Sequence, residues 1–382
     1  MALAPGARID RYVVEEKLGS GGMGDVWRAR HAAIGSRVVL KVLAAQRGLD
    51  GDIVQRFLRE ARAAASIGSP HIVAVQDFDV ADGQPFLVME HLEGCDLDQL
   101  LRANGRLAPG RAVAIAQQIL TGLGAAHRAG IVHRDVKPAN VFLTRRSDGG
   151  AGEHVKILDF GISKVIEGTS VEVLTRTGML MGTPLYMAPE QFMDAHEVDR
   201  RADLYSTAVI VYEMLSGKLP REATTIEEIV VRVISEPPRP LGAVAPDVPR
   251  ALAEVVDRGL ASDADARWQT AEDFAAALGR ASAALAPAAT AATIATAASQ
   301  ELPRTRMQVA MQPSAAAPPR APLPTLSSPF PQEPASTVGS SKGLWVAGSA
   351  SLLALFVVYC LPAIVVILVA AALVGWQLWR LQ

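Results

Sequence analysis

Ten of the chain's 24 prolines fall between Ala281 and Gly343, interleaved with Ala, Ser and Thr. A stretch of that composition cannot bury enough apolar surface to offset the entropy of ordering it. Any packed core must therefore come from the residues before it. This bounds one globular region from Arg11 to about Arg280, preceded by a short leader at 1–10. Within it, apolar positions recur periodically with turn residues between them. The 63 residues of 281–343 read as a disordered, partly extended linker, with a reach of roughly 45 Å as a flexible coil.

Past the linker, Leu344–Trp376 runs for 33 residues without a charged side chain. A water-soluble helix rarely does so, and the stretch is expected to be a C-terminal transmembrane segment. Trp345 at one end and Trp376 and Trp379 at the other match an interfacial aromatic belt. As a single helix it would measure about 50 Å, against a hydrocarbon core of about 30 Å. Pro362 lies mid-run, so the choice is between one tilted, kinked pass and a hairpin of two. A single pass is the preferred reading, with residues 377–382 as a short tail. Such a tail leaves no room for an external sensor domain, so the segment is expected to anchor rather than to sense.

Charge and cysteines exclude other classes. The net charge is −2 and no Lys/Arg run marks a basic patch, so no nucleic-acid partner is expected. Cys95 and Cys360 form neither a CxxC pair nor a disulfide framework, which fits a reducing compartment. The first residues lack the charged and apolar regions of a cleavable signal peptide.

The chemistry is concentrated in a few short runs. Leu18-Gly19-Ser20-Gly21-Gly22-Met23-Gly24-Asp25-Val26 reads as a glycine hairpin between two strands. Its glycines would let backbone N–H groups approach phosphate oxygens. A dinucleotide-binding turn needs a helix directly after the glycines, and the β-like Val26-Trp27-Arg28 stands there instead. Val38-Val39-Leu40-Lys41 is a short strand ending in a lysine. Glu60 lies 19 residues on, in a helical pattern at 53–65, where it could pair with that lysine. In His133-Arg134-Asp135-Val136-Lys137-Pro138-Ala139-Asn140, Asp135 can accept a hydroxyl proton, Lys137 can neutralise a moving phosphoryl group, and Asn140 offers an amide oxygen to Mg²⁺. Lys156-Ile157-Leu158-Asp159-Phe160-Gly161 is a strand that ends in a second carboxylate suited to the metal.

Taken with Ala188-Pro189-Glu190, these runs stand in the order and spacing of the eukaryotic-type (Hanks-type) protein kinases, and the chain most closely resembles their membrane-anchored bacterial Ser/Thr branch. The resemblance covers about residues 11–280. It implies an α+β, bilobal protein kinase fold with a β-rich N-lobe and a helical C-lobe. It implies a Ser/Thr protein kinase acting on protein substrates, with ATP and Mg²⁺ as cofactors and Mn²⁺ as an alternative metal. Asp135, Lys137, Lys41 and Glu60 would be catalytic, and Asn140 and Asp159 would hold the metal. ATP would meet Leu18 to Val26 (Gly19, Ser20, Gly21, Gly22, Met23, Gly24 and Asp25 between them), Val39, Lys41, Glu90, Leu92 and Phe142. Met89 would be the gatekeeper and 90–92 the hinge.

Other roles follow from the same resemblance. Glu190 would pair with Arg267, and Asp203 would hold the catalytic-loop backbone. Thr183 would bond Asp135 and Lys137. Arg134 would receive a phosphorylated activation-loop residue, expected at Thr175 or Thr177. Val39 departs from the family's usual alanine and narrows the pocket, and Ser69-Pro70-His71 replaces its usual His-Pro. His71 and the histidines outside the catalytic run read as surface or packing residues. The implied setting is the inner face of a plasma membrane, with the kinase domain cytoplasmic and a homodimer favouring trans-autophosphorylation. The alternative is a kinase-fold scaffold without activity, a pseudokinase, although no motif residue is missing.

Overall fold

The computed structural model of the protein describes residues 3–21, 24–43, 61–62, 65–81, 83–145, 152–160, 183–193, 198–223 and 225–283. All of them lie in one compact unit, residues 1–316. Gly22, Met23, Glu60, Thr175, Thr177, most of the expected linker and the whole of 344–376 lie outside the described residues. Among the described residues no helix is long and apolar enough to cross a membrane.

The N-terminal part is an antiparallel sheet of β1 (Arg8–Ile9), β2 (Tyr12–Gly21), β3 (Gly24–His31), β4 (Arg37–Leu43), β5 (Val75–Ala81) and β6 (Gln84–Glu90). The strand order is β1-β2-β3-β4-β6-β5. Strands β2 and β3 pair as far as Gly21 opposite Gly24 within the glycine run, as the flanking β-formers predict. Strand period two then sorts side chains between two cores. Along β4, Val38, Leu40 and Val42 enter a cluster with Trp27, Phe86 and Val88. Val39 and Leu43 enter another, with Leu18, Val26, Leu87 and Met89. Lys41 shares the parity of Val39 and so faces the second cluster. Of the helix expected at 53–65, the described Ala61, Arg62 and Ala65 are helical.

The second part opens on β7 (Gly94–Asp96) and the helices α1 (Leu97–Asn104) and α2 (Pro109–Arg128). Asp96 caps α1 by accepting the Gln99 N–H, and Pro109 starts α2, where its missing donor costs nothing. A 3-10 turn at Pro138–Asn140 leads to β8 (Val141–Arg145) and β9 (Glu153–Ile157), giving a small sheet ordered β7-β8-β9. Then come α3 (Glu190–Met193), α4 (Arg200–Ser216), α5 (Ile226–Ser235), α6 (Leu241–Val244), α7 (Arg250–Gly259) and α8 (Ala271–Ala283). Helix α4 is capped by Asp199 and stopped by left-handed Gly217. Its residues Ala202 to Tyr212 are all buried, which makes it the axis of the larger core. Helix α8 runs to Ala283, past the boundary at Arg280 that composition suggests.

Candidate active site

Two left-handed residues shape the centre. Arg134 (φ 63°) and Asp159 (φ 57°) both take a backbone conformation that costs a non-glycine residue about 1–2 kcal/mol, so surrounding contacts must hold them. For Arg134 those contacts come from Asp203 on α4. Asp203 is fully buried, and its Oδ2 accepts the His133 N–H at 2.8 Å while Oδ1 accepts the Arg134 N–H at 2.7 Å. His127, in the last turn of α2, donates Nε2–H to Asp203 Oδ2 at 2.8 Å. His127 is thus tied into the catalytic-loop anchor, which corrects the surface-or-packing reading. Gln191 Nε2 donates to Arg134 O at 3.0 Å, linking the segment after Ala188-Pro189-Glu190 to the same loop.

His133 is fully buried and sets the rest of the loop. Its Nδ1 accepts the Asp135 N–H at 3.2 Å, so its Nε2–H donates to Leu158 O at 2.8 Å, one residue before Asp159. The Asn140 O accepts the Leu158 N–H at 2.8 Å. The two carboxylate segments are therefore fastened to each other through main-chain atoms. Within the loop, Lys137 Nζ donates to Asp135 Oδ2 at 2.9 Å, and Asn140 Nδ2 donates to Asp135 O at 2.8 Å and to Oδ2 at 3.1 Å. Asp135 Oδ1 is buried with no hydrogen-bond partner among the described residues.

Lys41 crosses from β4 to Asp159, with Nζ to Oδ1 at 2.7 Å. The lysine is buried and the Asp159 side chain 31 % exposed. Burial works to raise the Asp159 carboxyl. The charge and hydrogen bond of Lys41, with Lys137 adding, outweigh it and hold the carboxyl below the usual range. The sequence pairs Lys41 with Glu60. Among the described residues its partner is Asp159.

Of the residues expected around adenine, Leu18, Val26, Val39, Met89, Leu92 and Phe142 share one buried cluster, which Leu43, Ala61, Val73, Leu87 and Leu158 complete. Val39 is fully buried in it. Behind Met89 the recess bounded by Val75, Leu87, Asp159 and Phe160 holds only about 10 Å³, room for little more than a water. At the hairpin tip, Ser20 Oγ donates to Asp25 Oδ1 at 2.8 Å across the strands. Gly24 has φ 146°, and a Cβ there would stand 2.0 Å from Val42 O. That glycine is required by the neighbouring strand as well as by any phosphate. Its missing Cβ, the uncommitted Asp135 Oδ1 and the hard oxygens of Asn140 and Asp159 suit a nucleotide with a divalent cation.

The remaining implied pair is present. Arg267 is fully buried and grips Glu190 with both nitrogens, Nη1 to Oε1 at 2.7 Å and Nη2 to Oε2 at 2.8 Å. The Thr183 side chain lies outside what is described. The sequence does not mark His127 or Gln191 as functional. Nothing in their immediate neighbours marks them, because each acts on a residue brought near by folding.

The family model "Protein kinase domain" matches residues 12–276. The chain belongs to the protein kinase domain family, and that membership implies use of ATP and a divalent metal. It is 41 % identical over 273 residues to the serine/threonine-protein kinase Pkn1 of Myxococcus xanthus, covering 72 % of this chain and 38 % of that protein. It is 40 % identical over 271 residues to the serine/threonine-protein kinase PknH of Mycobacterium tuberculosis, covering 71 % and 42 %. The chain thus spans about two fifths of the length of these relatives. The crystal structure of the Mycobacterium tuberculosis PknI kinase domain superposes with a TM-score of 0.57 at 31 % identity, covering 74 % of this chain and 100 % of that one.

Proposed function

We propose that this protein is a Ser/Thr protein kinase that moves the γ-phosphoryl group of ATP to protein hydroxyls. The observation that carries the reading is the Asp135 carboxylate: Lys137 and Asn140 hold Oδ2, and Oδ1 is left uncommitted among the described residues. Oδ1 is positioned to take the proton of an acceptor Ser or Thr hydroxyl as its oxygen bonds to the γ-phosphorus. The bond from that phosphorus to the bridging oxygen breaks, and the electron pair leaves with ADP. Lys137 and Lys41 offset the charge that develops on the phosphoryl oxygens. Asn140 and Asp159 would hold a divalent cation, which supplies further charge neutralisation when bound. The low Asp159 carboxyl keeps that ligand ionised at neutral pH. The apolar cluster from Leu18 to Leu158 excludes water from the adenine side.

The test is autophosphorylation with ATP and Mg²⁺. The wild-type chain should label on Ser or Thr, and Asp135→Asn should fall by about 10²–10⁴-fold while retaining nucleotide binding. A wild-type chain that binds ATP without transferring phosphate would make the fold a scaffold instead.

The regulation and setting expected from the sequence belong to this proposal. Phosphorylation of Thr175 or Thr177 is read by mass spectrometry of active enzyme, and finding neither removes it. Anchoring by 344–376 predicts recovery in the membrane fraction, with the kinase domain protected on the cytoplasmic side. Deleting 344–382 should lower autophosphorylation at low protein concentration, because two anchored copies raise each other's effective concentration. Mn²⁺ should substitute for Mg²⁺ in the assay.

A further inference from the structure

Lys156 lies on β9, outside every role assigned above. Its register partner on β8 is Phe142, which lines the adenine cluster, and paired residues of an antiparallel ladder project from the same face. From there its ammonium reaches the first residue of the hinge. Nζ stands 2.6 Å from Glu90 Oε1 and donates at 3.3 Å to Ile72 O. Glu90 Oε1 also accepts the Ala74 N–H at 2.7 Å, while the Glu90 N–H donates to Ala74 O at 3.0 Å. The last rung of the β5–β6 ladder pairs Val75 with Met89, so this clamp carries the ladder one residue into the hinge.

The other end of the connection is equally fixed. The Ile157 N–H donates to His71 O at 2.9 Å, and the Val73 N–H donates to Ile157 O at 3.0 Å. Segment 71–74, the hinge and the strand that delivers Asp159 therefore meet at one ammonium group. An exposed ion pair is worth little, but these side chains are only 15 % and 25 % exposed. The ammonium also has two protein acceptors, and the carboxylate oxygen has two donors.

We propose that Lys156 is a positioning residue for the nucleotide: it sets the hinge backbone at Glu90–Leu92 against the strand bearing Asp159, and so fixes where the adenine edge sits relative to the metal-side carboxylate. This rests on the kinase reading for the identity of the ligand. The role is one of ground-state placement. Losing it weakens binding of the base and leaves transfer from a saturated site almost intact.

The experiment uses the full chain with Lys156→Met, Lys156→Arg and Glu90→Gln. It measures KM for ATP, kcat, and the dissociation constant of adenosine, which has no phosphates. Lys156→Met should raise the KM for ATP and the adenosine Kd together, by about tenfold, with kcat at saturating ATP within about twofold. Lys156→Arg, able to reach the same carboxylate, should recover most of the affinity. Glu90→Gln keeps an acceptor for the Ala74 N–H but loses the charge, and it should fall between. It carries the test if Lys156→Met fails to fold. Unchanged adenosine affinity, a loss confined to ATP, or a change in kcat at constant KM would overturn the proposal. A wild-type chain that binds adenosine but transfers no phosphate would sink the kinase reading alone, and the adenosine constants would still decide the role of Lys156.

Discussion

Glu190→Gln tests the reasoning about buried charge most directly. Arg267 is fully buried, and its guanidinium donates to Glu190 Oε1 and Oε2, to Ala261 O at 2.7 Å and to Ser262 O at 2.8 Å, with the Tyr205 ring 4.9 Å from its centre. The Glu190 carboxylate is the countercharge in that shell. The amide of glutamine keeps one acceptor, turns a donor toward the other N–H and leaves the positive charge uncompensated. Breaking one side of a buried pair costs about 3–5 kcal/mol, and for a domain of this size that is a fall of about 6–20 °C in melting temperature. Gln191 ties the next residue to Arg134 O, so catalytic-loop order should fall with it. Arg267→Met in the Glu190→Gln background removes the orphaned charge itself. The double variant should therefore melt above Glu190→Gln, with a coupling of about 2 kcal/mol. Thermal denaturation followed by circular dichroism reads wild type, Glu190→Gln, Arg267→Met alone and the double variant. A Glu190→Gln chain melting within about 2 °C of wild type, or a double variant melting below it, would refute the argument.

Three further outcomes are expected. Gly24→Ala drives a Cβ onto Val42 O in a left-handed conformation, so the β3–β4 edge must open and the KM for ATP should rise by at least about tenfold; steady-state kinetics checks this. Burial, with Asp96 and Glu153 adding, pushes the Cys95 thiol up to about 11. It should resist iodoacetamide at pH 8 in the folded protein and react on unfolding, read from the mass of its peptide. Asp159 has a lowered carboxyl pKa because Lys41 overcomes the opposing effect of burial. A depressed folded value gives stability that is present above the unfolded pKa and lost as pH falls through the folded one. The difference in melting temperature between wild type and Asp159→Asn should therefore persist through the ordinary carboxylate range near pH 4 and close only below it. A difference that closes above pH 5 would contradict the Lys41–Asp159 pairing.

The inventory of the site and its local scaffolding are legible in short stretches of sequence. Asp135, Lys137 and Asn140 lie within six residues, and Pro138 keeps them out of a long helix, so their grouping survives any arrangement of the rest. The glycine hairpin, the parity that turns Lys41 with Val39, and the Asp96 and Asp199 caps are also decided over a few residues. Which groups hold these parts in place depends on packing between distant segments. Lys41 finds Asp159 across 118 positions, Asp203 takes the His133 and Arg134 N–H groups across 70 and 69, and Lys156 reaches Glu90 across 66. Backbone periodicity and turn chemistry act over one or two turns of chain and leave their mark in neighbouring residues. A hydrogen bond between distant segments depends on how two sheets and a buried helix pack, and that is set by burial summed over the whole domain.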